Sequence, residues 1–363
     1  MRVLLVFSSS QLGGAERSLS RMAFASKDVE YQFATLSNEG PWCDWIRSKG
    51  IVPYVFGQGP TCFALLTACR KLVCHLRQHP VNIVYVCGSR ASVVLRFTRV
   101  FMPNVKLVSG IRWNPDSRSG LDRFFRIAER FSHRLVDGWI TNSNVAQQTL
   151  VKRCHIPEKK IAVIHNGLDF LHYSVVPLSK RPMEVLTVAN LNPRKGHLEY
   201  LHVIQTVIKE VPETRFIFVG RDDMNGEVQR TIDAYGLSSH IRYEGFQDDV
   251  TPWYRRCRVF VLPSLWNEGC PTAILEAMSF SVPCVAFEMD GISELITSGI
   301  HGELLQRGDH KGMAEVILKL IRDTSLSSKL GQNGRLRIQT AFAIETTAQK
   351  HSEYFQNLCN SSR

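Results

Sequence analysis

Residues 263–294 read PSLWNEGCPTAILEAMSFSVPCVAFEMDGISE, and how this stretch folds decides the architecture. Just ahead of it, residues 259–262 are an apolar run of strand length, and within it residues 272–280 place apolar side chains at helical spacing. A strand, a polar loop carrying Glu268 and Gly269, and a helix follow one another. Pro271 suits the first helical position, where a missing N–H costs nothing, and Gly269 lets a ligand approach the backbone with no Cβ in the way. The helix start offers unpaired N–H groups and partial positive charge, so hydroxyls or phosphate oxygens are natural guests, with Gly269, Cys270 and Thr272 lining the site. Glu276 lies about 7 to 8 Å along the axis from that start. Glu268 and Glu276 can thus hold opposite ends of one extended ligand, each accepting from neighbouring hydroxyls.

Working outward, strand-like runs alternate with helical periods at residues 3–7, 31–36, 52–56, 83–86, 106–111 and 138–141, and again at 184–189, 215–219, 241–243, 259–262 and 284–287. Repeated alternation means βαβ units with mostly parallel sheets covered on both faces. Residues 169–182, with two prolines and no clear period, read as the linker. The fold class is therefore α/β with two doubly wound domains, and the default ligand site is a shared cleft beyond the carboxyl ends of the strands. Residues 344–358 read as a final helix.

Composition narrows the function. At 363 residues, 44% hydrophobic and 21% charged, the chain has room for two full cores and no sign of disorder. The apolar runs are strand-length, far short of the roughly 20 residues of a spanning helix, and MRVLLVF at the start reads as a strand rather than a leader. Ten cysteines fall mostly in apolar segments without a Cys-x-x-Cys pair, which argues against zinc and for reduced thiols in a cytoplasm. The net charge of +11 is lopsided: residues 1–178 hold 23 Lys and Arg against 11 Asp and Glu, and the remainder 21 against 22. Within that basic half, residues 120–135 form an amphipathic helix with Arg123, Arg126, Arg130 and Arg134 on one side and Leu121, Phe124, Phe125, Ala128, Phe131 and Leu135 towards the core. The asymmetry points to an anionic surface, read as lipid headgroups met peripherally rather than nucleic acid.

Glu-Gly-x-Pro at 268–271, seven residues between the two carboxylates, Glu-Ala-Met at 276–278, Val-Pro-x-Val-Ala at 282–286 and Gly-x-x-Glu at 291–294 closely resemble the signature of the retaining GT-B glycosyltransferases of family 4. The resemblance implies two Rossmann-like domains facing a central cleft: residues 1–172 for the acceptor, 173–343 for a nucleotide-sugar donor, and 344–363 a helix crossing back onto the first domain. It implies sugar transfer from a nucleoside diphosphate sugar to an acceptor hydroxyl with retention, by front-face attack assisted by the donor phosphate. Uridine is the favoured base, guanosine the next, and the favoured acceptor is a lipid-linked glycan or surface polysaccharide precursor. Glu268 would hold the sugar and Glu276 the ribose.

Further motifs carry the same resemblance. SSSQLGGAE at 8–16 matches the loop whose Gly14 backbone approaches the donor phosphates, and YEGFQDDV at 243–250 the stretch whose Phe246 backbone contacts the base. IHNGLD at 164–169 matches the turn after the last strand of the first domain. ANLNPRKG at 189–196 supplies Lys195 for the diphosphate; Asn190 stands where an arginine is usual, and Arg194 is the substitute from a shifted position. At the end of residues 106–111 many relatives have a histidine, whereas Arg112 and Trp113 stand here, Arg112 either meeting an anionic group of the acceptor or pairing with a surface acid. Asp222 and Asp223 read as a helix-start signal, and no metal or other cofactor is implied. Two alternatives stay open at this level: a nucleotide-sugar epimerase of the same fold, and a catalytically silent binding subunit.

Overall fold

The computed structural model describes residues 1–57, 62–112, 120–169 and 174–360. The chain forms two compact units, Met1–Gly167 with Ile344–Arg363, and Leu168–Ala343. The expected boundary at 172 and 173 lies outside the described residues, as does Trp113.

In the first unit, strands β1 (Arg2–Phe7), β2 (Glu30–Thr35), β3 (Tyr54–Val55), β4 (Ile83–Cys87), β5 (Lys106–Ile111), β6 (Gly138–Thr141) and β7 (Ile161–Val163) form one parallel sheet, ordered β3-β2-β1-β4-β5-β6-β7. In the second, β8 (Glu184–Val188), β9 (Arg215–Val219), β10 (Ile241–Tyr243), β11 (Val259–Leu262), β12 (Cys284–Phe287) and β13 (Gly302–Leu305) form another, ordered β10-β9-β8-β11-β12-β13. Both are doubly wound: the order reverses direction beside β1 and beside β8, which places the loops after β1, β4, β8 and β11 at the switch points where such sheets bind ligands. The central strands are apolar on both faces, as a sheet covered on both sides requires, and Val3, Leu4, Leu5, Val6 and Phe7 are all fully buried. Seven of the nine described cysteines are buried as small hydrophobes. The last helix, Ile344–Asn360, belongs to the first unit, where the Tyr354 hydroxyl donates to the Lys160 carbonyl at 3.1 Å.

The structure corrects the reading of residues 120–135. The helix ends at Ser132, so Arg134 and Leu135 lie in a short 3-10 turn, His133–Leu135. Glu129 and Ser132 are buried, and Phe131, expected in the core, is 78% exposed. Arg96 explains the rotation. Its guanidinium is fully buried and needs a counter-charge, which Glu129 supplies at 2.8 Å while Ser132 accepts a further bond at 2.9 Å. At about 100° per residue, turning Glu129 inward turns Phe131 outward. The side chains of residues 120–125 lie outside those described. Ile127, Phe97, Val100 and Phe101 are exposed too, the last three in segments tied to this corner by the Arg96–Glu129 and Arg99–Asp137 pairs.

Among the described residues, His351 in the first unit and His197 in the second are fully enclosed. Burial, with Lys195 adding to it, holds His197 down to about 3. For His351 burial again dominates, opposed by the Thr347 carbonyl and reinforced by Arg112, and the value is also about 3. Folded values below unfolded ones mean that stability is complete above pH about 6.5 and declines as pH falls towards 3, by about 1.4 kcal/mol per pH unit per histidine. Calorimetry between pH 7 and 5 should show both units melting progressively lower. In His351→Leu the slope for the first unit should flatten by that amount, and an unchanged slope excludes this histidine as the cause.

Candidate functional site

The sequence builds the second unit's site from two loops at the carboxyl ends of adjacent strands, β8 and β11. After β8, Pro193–Lys195 makes a 3-10 turn that Gly196 ends at φ 69°, and helix His197–Glu210 follows. A Cβ at Gly196 would lie 2.2 Å from the Pro263 carbonyl oxygen, so the glycine serves both the left-handed turn and the close approach of the β11 loop. The Leu265 N–H closes the junction by donating to the Arg194 carbonyl at 2.8 Å.

This contact brings Lys195, Arg194 and Glu268 together. Lys195 Nζ lies 2.5 Å from Glu268 Oε1, and Arg194 Nη1 lies 3.7 Å from the same oxygen while donating to the Asn267 carbonyl at 3.2 Å. Glu268 is 4% exposed. Burial alone raises its carboxyl, but Lys195, Arg194 and the Ser264 hydroxyl together outweigh that and leave it below the ordinary carboxylate range. Burial lowers Lys195, Arg194 lowers it further, and Glu268 only partly restores it. The cluster is thus two cations sharing one buried carboxylate, net positive, at the edge of a switch-point loop. It suits an anion with more than one charge.

Beyond it, Pro271 stands one place ahead of the first helical residue rather than within it, and the helix runs Thr272–Ser279. Cys270 is buried in the second unit's core. Glu276 is also buried, and accepts from the Tyr254 hydroxyl at 3.2 Å. That hydroxyl also lies 3.2 Å from the Ala273 carbonyl, and its ring stacks on Phe280 at 5.8 Å, so Glu276 is held by a fixed partner. Phe246 is exposed in the loop after β10, next to Gly245 at φ 68°. Asn190 braces a turn, accepting from Arg221 N–H at 3.1 Å, and Asp222 accepts from the Met224 and Gly226 N–H groups just before helix Glu227–Ala234.

In the first unit, Gly14 opens helix Gly14–Ala25 after β1, and Arg112 follows β5. Arg112 is buried, and its Nη2 donates to Ser18 Oγ at 3.2 Å and to Asn166 Oδ1. Both of these partners are neutral rather than a surface acid, and Nε and Nη1 have no hydrogen-bond partner among the described residues. Sequence reasoning missed Tyr254 as the partner of Glu276, Ser264 as a partner of the Glu268 carboxylate and Asp290 as the acceptor of the Glu268 N–H; Tyr254 stands outside the 263–294 stretch, while Ser264 and Asp290 lie within it but were given no role.

Residues 12–170 match the family model Glycosyltransferase Family 4, and residues 174–337 match the model Glycosyl transferases group 1. The chain belongs to the family 4 glycosyltransferases. This glycosyltransferase is 23% identical over 297 residues to the Escherichia coli UDP-Gal:alpha-D-GlcNAc-diphosphoundecaprenol alpha-1,3-galactosyltransferase, covering 77% of the chain and 76% of that relative. It is 24% identical over 211 residues to the amylovoran biosynthesis glycosyltransferase AmsK of Erwinia amylovora, 56% of the chain and about half, 52%, of that relative. Among solved structures, Anabaena Alr3699/HepE in complex with UDP and glucose superposes with a TM-score of 0.85 at 23% identity, over 98% of this chain and all of that one. The fold is accordingly GT-B, and the enzyme is a hexosyltransferase by family.

Proposed function

We propose that the glycosyltransferase moves a hexosyl unit from a UDP-sugar to a hydroxyl of a lipid-linked glycan or polysaccharide precursor, with retention and without a resident metal. The observation that carries this reading is the pairing of Lys195 and Arg194 with the buried Glu268 beside the start of helix Thr272–Ser279. In transfer, the bond from C1 to the diphosphate breaks and a bond from C1 to the acceptor oxygen forms on the same face. The acceptor proton passes to the departing phosphate oxygen. Lys195 and Arg194 neutralise the charge that develops on the diphosphate, where preorganised cations contribute most. Glu268 holds the sugar hydroxyls, Glu276 the ribose with Tyr254 fixing it, the Gly269, Cys270 and Thr272 backbone the remaining oxygens, and Phe246 the base. Within the first unit, Arg112 is the residue read as meeting the acceptor, and Gly14 the backbone read as a phosphate contact. The names of the E. coli and Anabaena relatives, which mention UDP-Gal, diphosphoundecaprenol and UDP, support uridine and a lipid-linked acceptor.

A thermal-shift panel of UDP-, GDP- and ADP-sugars tests the donor. A UDP-hexose at about 100 times its Kd should stabilise the second unit by about 2.7 kcal/mol, and a larger shift with a GDP- or ADP-sugar removes uridine. Formation of a new glycosidic bond on a lipid-diphosphate acceptor tests the transfer, and sugar conversion without any acceptor overturns it.

The first unit's basic excess and its exposed corner of Phe97, Val100, Phe101, Ile127 and Phe131 support peripheral contact with an anionic membrane at a cytoplasmic face. No helix among the described residues is long and apolar enough to cross a membrane. Vesicles with 30% anionic lipid, an arbitrary test composition of roughly cellular order, should bind the protein more tightly than neutral ones, with binding falling as salt rises. Equal, salt-insensitive partitioning to both removes the electrostatic contribution.

A further inference from the structure

The peptide units on both sides of Glu268 are tied to one place, the two-residue stretch Asp290-Gly291. The Glu268 N–H donates to Asp290 Oδ2 at 3.2 Å, and the Gly291 N–H donates to the Glu268 carbonyl at 3.4 Å. The two segments leave neighbouring strands: β11 pairs with β12 in parallel register, Phe260 beside Cys284 and Leu262 beside Ala286, so both loops emerge at the same edge. Asn267, immediately before Glu268, sits at φ 60°, and Asp290 itself sits at φ 40°. A residue with a Cβ in the left-handed region is disfavoured, by about 1 to 2 kcal/mol for most types and less for Asn and Asp. Glycine at 290 would make this turn without strain. A side chain is kept here despite that cost, and its carboxylate accepts from the backbone of the residue that anchors the site.

We propose that Asp290 is a positioning residue for Glu268. It fixes the Glu268 peptide so that the carboxylate points at Lys195 and, in the donor complex, at the sugar hydroxyls. This rests on the donor-site reading above and adds a residue to it. Asp290 acts on the sugar end of the donor through Glu268 and has no part in holding the diphosphate.

Three substitutions separate the acceptor oxygen from the backbone conformation. Asp290→Asn keeps an acceptor and tolerates positive φ, Asp290→Gly keeps only the backbone, and Asp290→Ala keeps neither. Calorimetric titration with UDP, UDP-glucose and UDP-galactose reads the effect, with thermal melts as the control for folding. Expected is a Asp290→Gly protein that melts no lower than the parent and binds UDP equally well, yet loses about tenfold in affinity for the UDP-hexose that the parent prefers. Asp290→Asn should recover most of that affinity, and Asp290→Ala should lose both affinity and melting temperature. In a Glu268→Ala background, Asp290→Gly should cost nothing further, since the residue it positions is gone.

Asp290→Gly binding the UDP-hexose within twofold of the parent overturns the inference, as does Asp290→Asn behaving like Asp290→Gly, or an additive double variant. These results leave the donor site standing if Glu268→Ala alone weakens the UDP-hexose. If Glu268→Ala does not, or if the parent binds neither UDP-hexose, the donor-site reading fails and the inference falls with it.

Discussion

Glu268→Ala should lower kcat/KM for the sugar donor by a factor of about 10² to 10³, the range found when one preorganised group aimed at a reacting centre is removed. Two effects of the substitution run in opposite directions, and this makes the result diagnostic. Glu268 is the counter-charge of Lys195 and lies 3.7 Å from Arg194, so its loss leaves a largely buried ammonium without compensation. Breaking a buried pair from one side costs about 3 to 5 kcal/mol, and the melting temperature of the second unit should fall accordingly. The same loss frees both cations for a diphosphate. UDP affinity should therefore hold or rise while UDP-hexose affinity falls, because the sugar has lost its acceptor. Glu268→Gln, of equal size and still able to accept from a hydroxyl, should lie between parent and alanine variant in turnover. Titration calorimetry with UDP and the UDP-hexose, beside steady-state turnover, measures all of this. Turnover within twofold of the parent, in a protein that folds, removes Glu268 from the site.

How much of this was legible in the chain depends on the range of the interactions concerned. The alternation of strands and helices and the positions of β5, β6, β9, β11 and β12 follow from local pattern, since a strand inside a sheet covered on both faces is largely apolar. At the sheet edges that signal fades. β13, Gly302–Leu305, buries only Gly302, and nothing in GELL distinguishes it from loop. The 52–56 run shrinks to Tyr54–Val55 because its neighbour β2 pairs with only two of its residues. Long-range charge was the harder matter. A glutamate in a loop reads as solvated until a lysine 73 positions earlier is found against it, and Phe131 reads as core until Arg96 is seen to demand Glu129. Amphipathic period fixes that a helix has two faces; a single buried arginine on another helix decided which one turned inward. Tyr254 and Asp290 are each 22 residues from the carboxylate or peptide they hold, so even Asp290, beside the recognised Gly-x-x-Glu, gives no local sign of the partner it meets.

Lys195 carries the second large effect. Lys195→Ala removes the cation nearest the expected diphosphate and leaves the Glu268 carboxylate with only Arg194, which is 38% exposed in its side chain and 3.7 Å away. UDP affinity should drop by about 10²-fold and kcat/KM for the donor by about 10³-fold, the opposite pattern in UDP binding to that of Glu268→Ala. The pH profile tests the same residue without deleting it. Burial holds the Lys195 ammonium below the usual lysine range, Arg194 pushes it lower, and Glu268 opposes both. The protonated form is the active one, so activity is complete below the folded-state value and is lost as pH rises through it. The alkaline limb of kcat/KM, which reports the free enzyme, must then fall below the ordinary lysine value of about 10.4. Bound diphosphate supplies further negative charge, so the corresponding limb in kcat moves upward. Lys195→Arg keeps a cation that stays protonated across this range, and whatever its fork geometry costs in rate, its alkaline limb should disappear. A parent and a Lys195→Arg enzyme sharing one alkaline limb, or a Lys195→Ala enzyme binding UDP as tightly as the parent, would place the diphosphate elsewhere and leave the buried pair with Glu268 as a brace between the loops after β8 and β11.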